Sequence, residues 1–318
     1  MAVTSPSVLT VTLNPAIDLN LVVPDWPRGD VGRATRVWRE AGGKGINVAR
    51  MLAELGVAAT AFCVLGGPDA EVFRALLAGV KFELHTCPIA EATRTNVTLT
   101  CERRHENIKV NQSGPRATAR EWRRIEADFK ALLPGRAWVV FSGALAPGMA
   151  TDAYARLTRL AHRAGARVAL DCAGAPLSAA LTEGPDLIRL NRAELAATVG
   201  VAGASRRAIL AAARRLLRGD VGAVVISHGA GECLALERGE AWAARPPAIQ
   251  SGGGPMGAGD SMMAGLVAAL LRGRPFADAL RLGLACGAAT AALPDTRFAT
   301  WPRIRTLMPQ VRIEPLSS

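Results

Sequence analysis

Lysine is scarce in this sequence: Lys44, Lys81, Lys109 and Lys130 are all there is, so a formal net charge of +11 rests on arginine. The arginines are spread along helix-like stretches, such as Arg120/Arg123/Arg124 and Arg206/Arg207/Arg214/Arg215, at spacings that suit solvated helix faces. Aromatic residues make up only 4%, too few for base-stacking platforms, so no nucleic-acid partner is expected. Long apolar runs are missing as well. The longest, Met262 to Leu271, stops at Arg272, far short of the ~20 residues of a membrane helix, so no membrane partner is expected. Nor does a basic or long apolar stretch precede the first strand-like segment; no signal peptide is expected, and a cytoplasmic location is the default. The six cysteines, Cys63, Cys87, Cys101, Cys172, Cys233 and Cys286, form no Cys-x-x-Cys pair and read as small buried hydrophobes. The four histidines, His85, His105, His162 and His228, lack metal-ligand spacing. No repeat or low-complexity linker is visible, and the glycine run at 252–254 is local.

What is present belongs to a folded globular chain: half the residues are hydrophobic and 20% are charged. A length of 318 residues favours one large α/β unit with a small appendage. Short apolar runs at Val8–Leu13, Thr60–Leu65, Ala137–Phe141, Arg167–Leu170, Leu187–Leu190 and Ala223–Ile226 are mostly followed by helical periodicity, the pattern of a largely parallel sheet. Helix starts are expected at Thr118-x-x-Glu121, Thr151 and Ser205, and stops at Gly165 and Gly219. Two stretches break the rhythm, Leu19–Trp38 and Thr95–Val110, the second reading as two strands around a polar turn at Arg103–Glu106. They are expected to form one small sheet, a lid made by excursions at about 15–40 and 87–112 from a single domain spanning 1–318. The alternating apolar residues at Leu19–Val23 and Thr95–Thr100 cannot be buried by so small a sheet, which predicts a homodimer formed through two lids.

The chemistry is concentrated at glycines. In Gly257-Ala258-Gly259-Asp260-Ser261, small residues open an apolar helix, so backbone amides and the helix N-terminus can hold an anion beside a carboxylate. That suits phosphoryl transfer, with Gly257, Ala258 and Gly259 around the migrating group and Asp260 taking the proton of the attacking hydroxyl. The plainer alternative is a glycine turn with Asp260 as an ordinary helix cap. A second cluster, Ala41-Gly42-Gly43-Lys44-Gly45-Ile46-Asn47-Val48-Ala49-Arg50, matches neither a Walker A loop nor a dinucleotide fingerprint, and it permits close approach to a ligand that Lys44 and Asn47 can contact.

Those two clusters, with Asn14-Pro15-Ala16-Ile17-Asp18, Ser142-Gly143-x-Leu145-x-Pro147-Gly148 and Asn191-x-x-Glu194, resemble in order and spacing the ribokinase-like (PfkB) carbohydrate kinases over nearly the whole chain. The Asn-Pro-Ala and Gly-Gly-Lys-Gly-Ile-Asn forms look most like the 1-phosphofructokinase and tagatose-6-phosphate kinase branch. The resemblance implies a three-layer α/β/α fold with a mostly parallel central sheet and a β-sheet lid. It implies ATP and Mg²⁺, and phosphorylation of a ketohexose monophosphate such as fructose 1-phosphate or fructose 6-phosphate. By the same resemblance Asp260 is the base and Gly257, Ala258 and Gly259 the anion hole, while Asp18, Gly43, Lys44 and Asn47 meet the sugar. Arg94 and Lys109 would bind its phosphate, Arg189, Ser227 and Gly229 the nucleotide, and Asn191 and Glu194 would organise Mg²⁺, although Asn-x-x-Glu is also a near capping box. Departures from the pattern are Glu232 in place of a glycine, Ala144 in place of a serine, Pro255-Met256 in place of Thr-Val, and Asp295 in place of a glycine. Competing readings are a kinase of an unphosphorylated sugar or nucleoside, in which Arg94 and Lys109 are surface charges, and a non-catalytic sugar-phosphate sensor.

Overall fold

The computed structural model describes residues 7–26, 29, 31–104, 106–201, 205–217, 219–249, 256–293 and 297–316. His105, the glycine run at 252–254, Pro255 and Asp295 lie outside the described residues.

The first third of the chain forms β1 (Ser7–Thr12), β2 (Ala16–Val23), β3 (Arg36–Gly42), α1 (Lys44–Glu54), β4 (Ala59–Gly66), α2 (Asp69–Leu76), β5 (Glu83–Ile89), β6 (Arg94–Cys101) and β7 (Glu106–Asn111). The middle forms α3 (Ala119–Leu132), β8 (Arg136–Ser142), α4 (Ala153–Arg163), β9 (Arg167–Asp171), α5 (Ala175–Ala180), β10 (Leu187–Asn191) and α6 (Arg192–Val199). The last third forms α7 (Arg206–Leu216), β11 (Ala223–Ser227), β12 (Cys233–Glu237), β13 (Glu240–Arg245), α8 (Ala258–Leu271), α9 (Phe276–Ala291), α10 (Trp301–Leu307) and β14 (Arg312–Pro315).

Ten strands make the main sheet, in the order β14-β13-β12-β11-β10-β9-β8-β1-β4-β5. Every neighbouring pair from β5 to β11 is parallel. A parallel sheet must be covered on both faces, and β4 is accordingly buried at every position. Alternate residues divide between two cores. Val8, Trp138 and Val140 pack with α1, α8 and α9 on one side; Leu9, Val11, Val139 and Phe141 pack with α3, α4 and α7 on the other. The expected three-layer α/β/α fold with a mostly parallel sheet and a small second sheet is therefore what forms. Beyond β11 the sheet continues through antiparallel β12, β13 and β14, none of them among the apolar runs read from the sequence; β14 is short and largely exposed, and β13 is exposed at both ends.

Helix ends follow local chemistry. Thr118 and Glu121 form the expected reciprocal capping box on α3, and Ser205 accepts from the Ala208 amide at the start of α7. Thr151 does not cap α4; that position falls to Asp152, whose side chain makes no capping bond.

The second sheet has the order β3-β2-β6-β7. Its register, Asp18 beside Glu40 and Asn96 and Thr98 beside Lys109, puts these polar residues on one face. The other face is apolar and carries Val37, Ile108 and Val110, exposed by 59%, 52% and 60%.

Candidate active site

In a parallel sheet, ligands gather at the carboxyl ends of strands. Here Ser142, Asp171, Asn191 and Ser227 close β8, β9, β10 and β11, and Asn14 follows β1. The amino end of α8 faces the same crevice. Gly257 precedes it with φ +76°, a left-handed conformation that glycine adopts without strain. No side chain caps this helix, so the first-turn amides of Ala258 and Gly259 are left to an anion. A Cβ at Gly259 would lie 2.6 Å from Arg189 Nη1, so the guanidinium rests directly on the turn.

Asp260, in the first turn of α8, is 6% exposed and accepts a hydrogen bond from Asn47 Nδ2 at 2.8 Å. Burial, reinforced by the Asp171 carboxylate, pushes Asp260 up to about 6, against the opposing pull of Asn47, Lys44 and Arg189. A carboxylate with that affinity is ionised at neutral pH yet holds a proton well enough to accept one.

Asp171 joins the remaining polar groups. It is fully buried, takes Lys44 Nζ at 2.8 Å on one oxygen and faces Arg189 Nη1 at 3.3 Å with the other. Burial works against the charge, but Arg189 and Lys44 outweigh it and hold Asp171 below the usual carboxylate range. Arg189 Nη2 donates to Ser227 Oγ at 2.7 Å, while its Nε is buried without a partner. Sequence reasoning missed Asp171; the available signal was an aspartate closing a strand of a parallel sheet. Asn191 and Glu194 form a complete capping box on α6, with 2.8 Å bonds in both directions, and Glu194 Oε1 also lies 3.4 Å from Lys44 Nζ. No group of three or more His, Cys, Asp or Glu side chains among the described residues is arranged to hold a metal. With Asp171 fully buried and taken up by Lys44 and Arg189, Glu194 is the half-buried carboxylate left beside Asn191, a set that suits Mg²⁺ only when most of its oxygen ligands come from water or a bound molecule.

On the lid, Asp18 accepts from Asn96 Nδ2 at 2.9 Å. Burial raises its carboxyl, Asn96 opposes that, Glu40 adds to it, and Arg94 and Lys109 draw it back down through space. Gly42 leaves room for Asp18, since a Cβ there would fall 2.0 Å from Oδ2. Asp18, Asn47, Arg50, Gly257 and Phe298 enclose a cavity of about 30 Å³. Arg94 Nη1, Nη2 and Nε donate to the carbonyls of Gln112, Asn14 and Pro15 at 2.8, 2.9 and 3.4 Å. Lys109 is exposed on β7. A larger cavity of about 350 Å³ lies on the other side of α8, lined by Ser227, Gly229, Gly259, Pro246, Ile249 and Leu284.

Most of the sequence-predicted residues thus converge. Asp260, Gly257 and Asn47 meet Asp18 at one end of the crevice, Arg189, Ser227 and Gly229 line the other, and Lys44, expected at the sugar, is instead drawn to Asp171 and Glu194 beside Arg189. Arg94 and Lys109 stand apart, at the root and on the outer strand of the lid. Of the departures, Glu232 turns to Arg206, accepting from Nε at 2.9 Å, and Ala144 is exposed.

The sequence and the fold both have counterparts among known proteins. A family model described as pfkB family carbohydrate kinase matches residues 9–303. The 1-phosphofructokinase of Xanthomonas campestris pv. campestris is 40% identical over 267 residues, 83% of this chain and 84% of that protein. The 1-phosphofructokinase of Escherichia coli K12 is 32% identical over 98% of this chain and 100% of its own. The crystal structure of phosphofructokinase-2 from Escherichia coli superposes with a TM-score of 0.90 at 29% identity, covering 96% of this chain and 98% of that one.

Proposed function

The chain belongs to the pfkB family of carbohydrate kinases, and from that premise we infer that it phosphorylates a hydroxyl of a ketohexose monophosphate with ATP. The relatives named 1-phosphofructokinase favour fructose 1-phosphate over fructose 6-phosphate and tagatose 6-phosphate. The observation that carries this reading is the way Asn47 joins two carboxylates: it donates to buried Asp260 at the uncapped end of α8 and shares with half-buried Asp18, which would grip the sugar, the wall of one small cavity.

In this reading Asn47 fixes one Asp260 oxygen, so the other faces the attacking hydroxyl and takes its proton. The amides of Ala258 and Gly259 meet the phosphoryl group in flight. Lys44 and Arg189, both tied to Asp171, add positive charge along the phosphate path. Asn191 and Glu194 would hold Mg²⁺ through water, and the bound ion would offset charge on the nucleotide phosphates. The larger apolar cavity beside Gly229 takes the base of ATP.

Arg94 and Lys109 are the cations for the existing phosphate of the sugar. Both act on Asp18 through space, which supports placing them around the same substrate. We read the small sheet as a lid on a single unit, and its exposed apolar face as the surface on which a second copy packs. Six cysteines, all buried and free, suit the reducing cytoplasm. The deciding measurement is ADP release from MgATP with fructose 1-phosphate, fructose 6-phosphate, tagatose 6-phosphate and free fructose. Turnover with one of the phosphates and almost none with free fructose is expected. Absence of turnover with all of them would favour the non-catalytic sensor, and equal rates with free and phosphorylated sugars the neutral-sugar kinase.

A further inference from the structure

Arg50 stands out among the groups the reading above leaves unused. It lies on α1, one helical turn beyond Asn47, where i and i+3 share a face. Arg50 is half-buried, and burial pulls it below the usual arginine value against the opposing charges of Glu40 and Asp18. Among the described residues it makes no ion pair within 4 Å. Its sole hydrogen bond is a long one, Nη2 to the Ala41 carbonyl at 3.3 Å, and its Nε is shut off from solvent with no partner. A buried donor without an acceptor costs stability and calls for an explanation. Arg50 is also held from behind, with its guanidinium 5.9 Å from the centre of the Phe298 ring. That ring abuts Gly257, where an added Cβ would come within 3.0 Å of it.

The place it occupies supplies the explanation. Arg50 lines the cavity of about 30 Å³ that also has Asp18, Glu40, Asn47 and Gly257 in its wall, so two carboxylates face it there. That volume matches one oxygen-sized group, a water or one hydroxyl. Asp18 can only accept there and Arg50 can only donate, whereas a hydroxyl does both. We propose that Arg50 is a substrate-selecting residue: together with Asp18 it holds one secondary hydroxyl of the ketose, Arg50 donating to the oxygen while that hydroxyl donates to Asp18. Because such a pair leaves buried polar groups unmatched when the hydroxyl is missing or inverted, it rejects deoxy and epimeric sugars.

The inference rests on the sugar-phosphate kinase reading, and its test separates the two. Arg50→Gln and Arg50→Lys are assayed with fructose 1-phosphate, its 3-deoxy and 4-deoxy analogues, and the C4 epimer tagatose 1-phosphate, with thermal unfolding measured alongside. For the wild type, one deoxy analogue should lose kcat/KM by about 10–100-fold, the scale of a charge-assisted hydrogen bond. Arg50→Gln should lose a similar factor on fructose 1-phosphate, yet show little further loss on that same analogue, while KM for ATP stays within about twofold. Arg50→Lys, which keeps the charge but replaces the flat guanidinium with a compact ammonium, should behave like Arg50→Gln. Equal further losses on every analogue in wild type and variants would overturn the proposal. So would restored selectivity in Arg50→Lys, or a fall in unfolding temperature with kinetics unchanged. A wild type that turns over none of these sugars would instead sink the kinase reading itself.

Discussion

At the scale of single residues the site depends on where charge is buried. Asp260 has a carboxyl raised to about 6, so the deprotonated base is lost as pH falls through that value, and kcat/KM should drop about tenfold per pH unit below it. Asp260→Asn keeps the shape and removes the basicity: turnover should vanish while ATP and sugar phosphate still bind, as calorimetry can show. The same variant tests the cost of the charge. A carboxyl raised on folding binds more protons folded than unfolded, so stability is greatest below the unfolded value of 3.8 and falls as pH rises through about 6. Asp260→Asn should therefore stabilise the protein at pH 8, by on the order of 1–3 kcal/mol, and lose that advantage near pH 4. Arg94→Ala and Lys109→Ala should each cost about 10–100-fold in kcat/KM for the sugar phosphate with KM for ATP nearly fixed; a change in the ATP term alone would move both residues out of the sugar site. Glu194→Gln should raise the Mg²⁺ concentration needed for activity, and a fall in unfolding temperature with the Mg²⁺ dependence intact would leave only the capping role. Asp260 and Asn47 were legible because each sits in a glycine-rich run that has few other uses, whereas Asp18 was legible only through the resemblance of its Asn-Pro-Ala-Ile-Asp segment to the family. Asp171 was not, because one buried aspartate at a strand end carries no pattern until the fold brings Lys44 and Arg189 to it.

Among the elements, α8 departs most from an ordinary surface helix. Ten of its residues are buried, from Asp260 to Ala269, and it crosses α9 so closely that a Cβ on Gly265 would lie 2.8 Å from Gly283 Cα. Backbone cannot yield there as a side-chain tip would. Gly265→Ala should then destabilise the fold by about 1–3 kcal/mol, through overpacking between α8 and α9, and urea unfolding would measure it. An unchanged midpoint would mean that the two helices separate at little cost. The apolar length of α8 and the α/β alternation were readable because burial on all sides leaves a continuous hydrophobic run. The three antiparallel strands after β11 were not, since β13 and β14 mix charged and apolar residues and owe their pairing to the sheet edge already in place.

For the molecule as a whole, the two faces of the lid lead in different directions. The polar face carries Asp18, Asn96 and Lys109 toward the crevice, and the apolar face leaves Val37, Ile108 and Val110 uncovered. Placing a charge on that surface, as in Ile108→Lys with Val110→Glu, should shift light scattering from dimer to monomer; a wild type that is monomeric at working concentration would refute the pairing of lids. The excursions themselves were legible as breaks in rhythm, although the polar and apolar faces emerged only once the register of β2 against β6 was known. Arg94 ties this sheet to the core. The chain passes between core and lid at four places, and the Arg94 guanidinium, itself where β6 begins, is fastened to the carbonyls of Asn14 and Pro15 before β2 and of Gln112 after β7. A single side chain thus latches three of the four passages. If Arg94 binds the sugar's phosphate as proposed, it must give up some of those carbonyls to do so, and binding of the phosphate would then be felt at three of the four passages at once.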